Sequence, residues 1–181
     1  MSEHVILLDM DGVIANFVRH SLVANDLLLR HDDCTQYDYW KLAGISGNQF
    51  WKRIDSTPRF WETIPPYPWF LELKKIVSQF DFHICTSPSK SPDCFSGKAD
   101  WIQAYFGREF RNIVLTPQKH LLAKSNHILI DDSQQKYEKF VDAGGHAILF
   151  PQPWNSNSHL TDDRIAFVRD QLDAIVGFNK R

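Results

Sequence analysis

Val5-Ile6-Leu7-Leu8-Asp9-Met10-Asp11-Gly12 decides the fold: four consecutive apolar residues stopped by two carboxylates and a glycine. An apolar run without alternation fits a strand buried on both faces, as in a parallel sheet. Four further runs resemble it: Phe82 to Cys85, Ile113 to Leu115, Ile128 to Ile130 and Ala147 to Phe150. Helical periodicity lies between most of them. Trp69 to Gln79 places Phe70, Leu73, Ile76 and Val77 on one face, and Ala99 to Phe106 and Gln134 to Ala143 read likewise. The last of these stops at Gly144-Gly145, and Asp162 to Val176 forms a final helix with Thr161 or Asp162 as its N-cap. Strands alternating with helices predict an α/β fold with a Rossmann-like parallel sheet.

The gap between the first two strands is too long for one crossover helix. It holds helical stretches at Phe17 to Arg30 and Asn48 to Asp55, then Pro65-Pro66-Tyr67-Pro68. We therefore expect a core of residues 1–16 and 67–181, with residues 17–66 as a small helical insertion. Ten aromatic residues fall among the 34 positions from 37 to 70, where the chain average of 13% predicts four or five.

Composition excludes several classes. With 181 residues, 43% apolar and 23% charged, the chain is long enough for a real core and too apolar for global disorder. Twenty Lys and Arg against 22 Asp and Glu give a net charge of −2, which argues against binding a nucleic-acid duplex. Three cysteines without a C-x-x-C pair point to reduced thiols, and no apolar run approaches the ~18 residues of a membrane span. No signal peptide is read at the N-terminus, so a cytoplasmic setting is expected.

The chemistry concentrates at the ends of the apolar runs. Asp9 and Asp11 follow the first, and Asp131-Asp132 close another. Carboxylates at the carboxyl edge of a parallel sheet sit where ligands bind and are desolvated unless paired. Two such pairs side by side would form an oxygen-rich cage suited to Mg²⁺. Thr86-Ser87-Pro88 ends the second strand and offers hydroxyls to a phosphate oxygen. Lys119, after the third, would neutralise phosphate and carboxylates at the same edge. There is no G-x-S-x-G, P-loop or G-x-G-x-x-G.

Asp9-Met10-Asp11-Gly12-Val13 resembles the D-x-D-G-[VT] signature of the haloacid dehalogenase superfamily, and Thr86, Lys119 and Asp131-Asp132 match its remaining motifs in order. Asp9 to Phe17, Ile84 to Pro88, and Lys98 with Trp101-Ile102 and Tyr105-Phe106-Gly107 are similar to one branch, the 5′(3′)-deoxyribonucleotidases. The resemblance implies a Mg²⁺-dependent phosphomonoesterase acting on nucleoside monophosphates. Asp9 would be the nucleophile and Asp11 the general acid and base. Asp9, Asp11 (through its carbonyl), Asp131 and Asp132 would hold the metal. Thr86, Ser87, Lys98 and Lys119 would bind phosphate. The insertion would be a cap whose Phe17, Trp40, Trp51 and Trp61 stack on the base. The acid at position 11 argues against carbon–halogen cleavage. Rival readings are a phosphatase for another small phosphomonoester or a nucleic-acid terminal phosphate and, more remotely, a non-catalytic receiver-like domain. A homodimer is left open.

Overall fold

The computed structural model describes residues 4–178. Five strands, Val5–Leu8 (β1), Asp81–Thr86 (β2), Ile113–Leu115 (β3), His127–Asp131 (β4) and His146–Leu149 (β5), form a parallel sheet in the order β3-β2-β1-β4-β5. The expected α/β fold is therefore observed. Strand alternation splits the core in two. Ile6, Leu8, Ile84, Ile128 and Ile130 face one side, which the helices Phe70–Val77 (α3), Pro92–Phe106 (α4) and Arg164–Phe178 (α6) cover. Leu7, Cys85 and Leu129 face the other side, against Phe140 of the helix Gln134–Asp142 (α5).

The chain runs β1, β2, β3 in one direction, then returns past β1 to β4. The order thus reverses between β1 and β4, the switch point where open parallel sheets bind ligands. Register fixes what meets there. Leu8 pairs with Ile130, and the Asp9 N–H donates to the Ile130 carbonyl at 2.9 Å, so Asp9 leaves its strand level with Asp131.

Between β1 and α3 lie the helices Phe17–Ala24 (α1) and Gly47–Asp55 (α2), with short 3₁₀ turns at His31–Asp33 and Tyr39–Ala43. The segments entering and leaving this insertion run antiparallel: Asn16 N–H donates to the Pro65 carbonyl at 2.8 Å, and Tyr67 N–H to the Ile14 carbonyl at 2.9 Å. Phe50, Ile54, Phe60 and Trp61 belong to the same apolar cluster as Ile6 and Leu8, so the insertion shares its core with the sheet. Trp101 on α4 donates Nε1 to the Ile64 carbonyl at 2.6 Å. A Cβ at Gly97 would lie 2.7 Å from the Trp61 Cβ, so this close approach requires glycine.

Three helix boundaries differ most from expectation. The helix from Phe17 stops at Ala24, not Arg30. Asn25 caps it, its side chain donating to the Ser21 carbonyl at 3.0 Å, and Asp26 turns to φ +53°. The α4 helix starts at Pro92 instead of Ala99, since proline is suited to a first helical position. The last helix starts at Arg164, with the Asp163 carbonyl accepting from Phe167 N–H, so neither Thr161 nor Asp162 is its N-cap. No helix among the described residues is long and apolar enough to cross a membrane.

Candidate active site

The turn after β1 shapes the site. The Met10 carbonyl accepts from Ile14 and Ala15 N–H, both at 2.9 Å, which curls the chain back beneath Asp11. Gly12 has φ +76°, and a Cβ there would collide with the Asp132 carboxylate. Glycine is therefore required on both counts. Gln152 Nε2 donates to the Gly12 carbonyl at 2.5 Å.

Asp9, Asp131 and Asp132 are all buried and supply carboxylate oxygens within 4.8 Å of one another. Lys119, fully buried, bridges two of them: its Nζ lies 2.7 Å from Asp9 Oδ1 and 2.6 Å from Asp131 Oδ2. Burial alone would push the Asp9 carboxyl up, but Lys119, with Lys136 and Lys98 beyond it, outweighs burial and holds it at about 2. Asp9 is thus an anion at neutral pH. Burial and then the charge of Asp9 push Asp131 above the usual range. Burial, Asp131 and Asp9 push Asp132 well above it, although Trp154 Nε1 donates to its Oδ2 at 2.8 Å.

These residues fit a divalent cation. The donor set is all oxygen, the hard ligand that Mg²⁺ prefers. Burial first, and then the charges of neighbouring carboxylates, raise Asp131 and Asp132, and a bound cation would offset both. The sign for stability follows. A carboxyl raised in the fold disfavours folding above its unfolded pKa of about 3.9, increasingly as pH rises through the folded value. Through these two carboxyls, metal-free protein should therefore lose stability as pH rises above about 4. Asp132→Asn keeps an acceptor for Trp154 and removes the charge. It should flatten that slope and raise the metal-free melting temperature by about 2–8 °C, equivalent to about 1–2 kcal/mol. Calorimetric melts in chelated buffer across that pH range check this, and a variant as steep as wild type would refute the repulsion.

Thr86 and Ser87 reach the same cleft from the end of β2. Lys98 stands beside it, against Asp11, Thr86 and Ser87, all three of which line the cleft. Its ammonium is fully buried and donates to Asp11 Oδ2 at 2.5 Å, Thr86 Oγ1 at 2.7 Å and the Ser87 carbonyl at 2.9 Å. All three N–H groups are engaged with protein. Because Thr86 Oγ1 accepts from Lys98, its own hydrogen is free to donate into the cleft. Asp11 Oδ1 has no hydrogen-bond partner in the fold, although it is buried.

The cleft encloses about 820 Å³, and Phe17, Trp40, Trp51 and Trp61 all line it. They are not equivalent. Trp40 stacks on Phe50 at 4.5 Å and Trp61 packs parallel to Phe17 at 5.8 Å, and both tryptophans are buried. Trp51 and Phe17 are half-buried. Sequence reasoning missed Lys136, Tyr37 and Trp154, which also line the cleft. For Lys136 a signal existed: a cation in the first turn of a helix, directly after Asp131-Asp132-Ser133.

Comparison with known proteins agrees with this architecture. Residues 3–178 match the family described as 5′ nucleotidase, deoxy (Pyrimidine), cytosolic type C protein. A Bordetella bronchiseptica protein named "Putative 5′(3′)-deoxyribonucleotidase" is 30% identical over 145 residues, covering 71% of this chain and 73% of its own. A Bordetella pertussis protein of the same name is 29% identical over the same extent. Among solved structures, a haloacid dehalogenase-like hydrolase of Streptococcus pneumoniae shares the fold with a TM-score of 0.53 at 13% identity, covering 97% of this chain and 98% of its own. The HAD-hydrolase YfnB of Bacillus subtilis, solved bound to magnesium, gives a TM-score of 0.51 at 14% identity, covering 81% and 86%. The match across nearly the whole chain, on a sheet that shares its fold with haloacid dehalogenase-like hydrolases and carries these carboxylates and lysines at its switch point, means that the chain belongs to the cytosolic type C 5′-nucleotidase family and is a phosphomonoester hydrolase.

Proposed function

We propose that the protein is a Mg²⁺-dependent 5′(3′)-deoxyribonucleotidase that hydrolyses nucleoside monophosphates through a phosphorylated Asp9, with residues 17–66 acting as its cap. The observation that carries this is one buried, ionised carboxylate, Asp9, beneath a cleft walled by the aromatic residues of the insertion. The relatives' names and the magnesium in YfnB support the same reading.

Asp9, the carboxylate kept anionic by Lys119, attacks phosphorus, and the bond from phosphorus to the leaving oxygen breaks. Asp11 hands a proton to that oxygen from Oδ1, the carboxylate oxygen that Lys98 does not hold. It then takes a proton from the water that hydrolyses the aspartyl-phosphate. Thr86 and Ser87 donate to phosphoryl oxygens, and Lys119 offsets charge on the nucleophile. Asp9, Asp131 and Asp132, with the Asp11 carbonyl, would hold Mg²⁺, which supplies electrostatic screening of the incoming dianion. Positioning and charge neutralisation are most of what phosphoryl transfer needs. A cytoplasmic setting suits Cys34, Cys85 and Cys94, all buried and unpaired.

The cap side of the cleft accounts for nucleotides over simpler esters. Trp51 and Phe17 offer flat faces, and a stacked base is worth about 1–3 kcal/mol. Trp51→Ala should raise KM for nucleotides at least about five-fold and leave p-nitrophenyl phosphate hydrolysis nearly unchanged. Trp61→Ala, which empties a core position, should instead lower stability by about 3–5 kcal/mol and harm both substrates. A phosphate-release screen over nucleoside monophosphates and sugar phosphates, with and without Mg²⁺, tests the whole reading. Sugar phosphates turned over as well as deoxynucleotides, with Trp51→Ala treating both alike, would leave only a phosphatase of another small ester.

A further inference from the structure

Lys136 is left unused by the mechanism above. It lies in the first turn of α5, where the aligned peptide dipoles make a cation unfavourable. Its side chain is only 19% exposed and lines the cleft. Its Nζ is 3.9 Å from Asp9 Oδ2 and 4.0 Å from Asp131 Oδ2, both beyond hydrogen-bond range. Among the described residues nothing accepts a hydrogen bond from it. The other two lysines near the nucleophile differ sharply. Lys98 has all three N–H groups engaged, and Lys119 sits within 2.7 Å of two carboxylates.

We propose that Lys136 is a substrate contact, donating to a non-bridging phosphoryl oxygen on the Oδ2 side of Asp9 as Lys119 stands on the Oδ1 side. The inference rests on the reading of Asp9 as nucleophile. Charge makes the case from a second direction. Setting aside the Lys98–Asp11 pair, three carboxylates face Lys119 and Lys136. One divalent cation then gives the site a single net positive charge. Without Lys136 that net charge is zero, although the ligand is a dianion. Lys136 thus supplies the excess that draws phosphate in. Its flexible stem and uncommitted ammonium leave it free to meet the ligand, whereas Lys98 and Lys119 are held by protein acceptors.

The test uses the full chain in Mg²⁺, titrated calorimetrically with inorganic phosphate. In Lys136→Met and Lys136→Gln the Kd for phosphate should rise 10- to 100-fold, and KM for phosphomonoesters should rise more than kcat falls. Lys136→Arg should keep most of the affinity. Binding of Mn²⁺ without phosphate, followed by its paramagnetic resonance signal, should stay within two-fold of wild type or tighten. Phosphate bound by the Met and Gln variants as tightly as by wild type would overturn the proposal. So would equal losses of phosphate and Mn²⁺ affinity, which would make Lys136 a structural support of the acidic cluster. Wild type that binds no phosphate at all would overturn the reading of the site around Asp9 itself.

Discussion

Asp9→Asn should abolish turnover, lowering kcat by at least about 10⁴-fold, while the protein folds and binds phosphate with Mg²⁺. The amide matches the carboxylate in shape but lacks the charge that makes Asp9 a nucleophile. The fold invests heavily in that charge: Asp9 is buried, yet held at about 2 by Lys119 and its neighbours. Lys119 keeps Asp131 as a partner in the variant, so the local structure survives. Three measurements check this. Phosphate release should vanish, the far-ultraviolet circular dichroism should match wild type, and acid quenching should trap phosphoenzyme from wild type only. Turnover within ten-fold of wild type would remove Asp9 from the reaction.

Chelation is the second large effect. Three buried carboxylates at the switch point repel a dianion, and burial has already raised two of them above their ordinary range. Thorough treatment with EDTA should cut activity at least about 10³-fold, the equivalent of several kcal/mol of lost charge stabilisation. Mg²⁺ should restore it, and Ca²⁺ should do so poorly because it favours a larger and looser oxygen shell. Saturating Mg²⁺ should also raise the melting temperature. At a hundred times Kd the gain is about 2.7 kcal/mol, or roughly 5–10 °C for a chain of this length. Full activity in chelated buffer, with a melt indifferent to Mg²⁺, would refute the metal site.

Much of the fold was legible because a strand buried on both faces leaves a continuous apolar run, and each run here ends in a residue that belongs at the sheet edge. Asp9 and Asp131 could be paired from sequence for that reason, and the register bears this pairing out. Helix ends were less legible. The stop at Ala24 depends on a cap by Asn25 and a left-handed Asp26, which apolar periodicity does not record. The start of α4 at Pro92 was hidden in a run of serine and proline that reads as loop. Lys98 shows a different limit. Its sequence position places it on α4 near the site, but only the structure shows that its ammonium is shared among Asp11, Thr86 and Ser87. Lys136 was overlooked for the opposite reason: its helix was foreseen, but its cation in the first turn after Asp131-Asp132-Ser133 lies outside the motif pattern.

The seat of Trp61 on Gly97 carries a lesson for protein engineering. The insertion looks portable, since Ala15 and Pro66 run side by side and would accept a graft at adjacent ends. It is not self-contained. A donor segment of residues 17–66 would arrive with Trp61 but without the bare backbone on which that ring rests. Any recipient with a side chain at the Gly97 position would hold the graft off α4, and with it the aromatic wall that faces Asp9. A graft of this segment within the family therefore has to move the glycine of the host helix together with the segment itself.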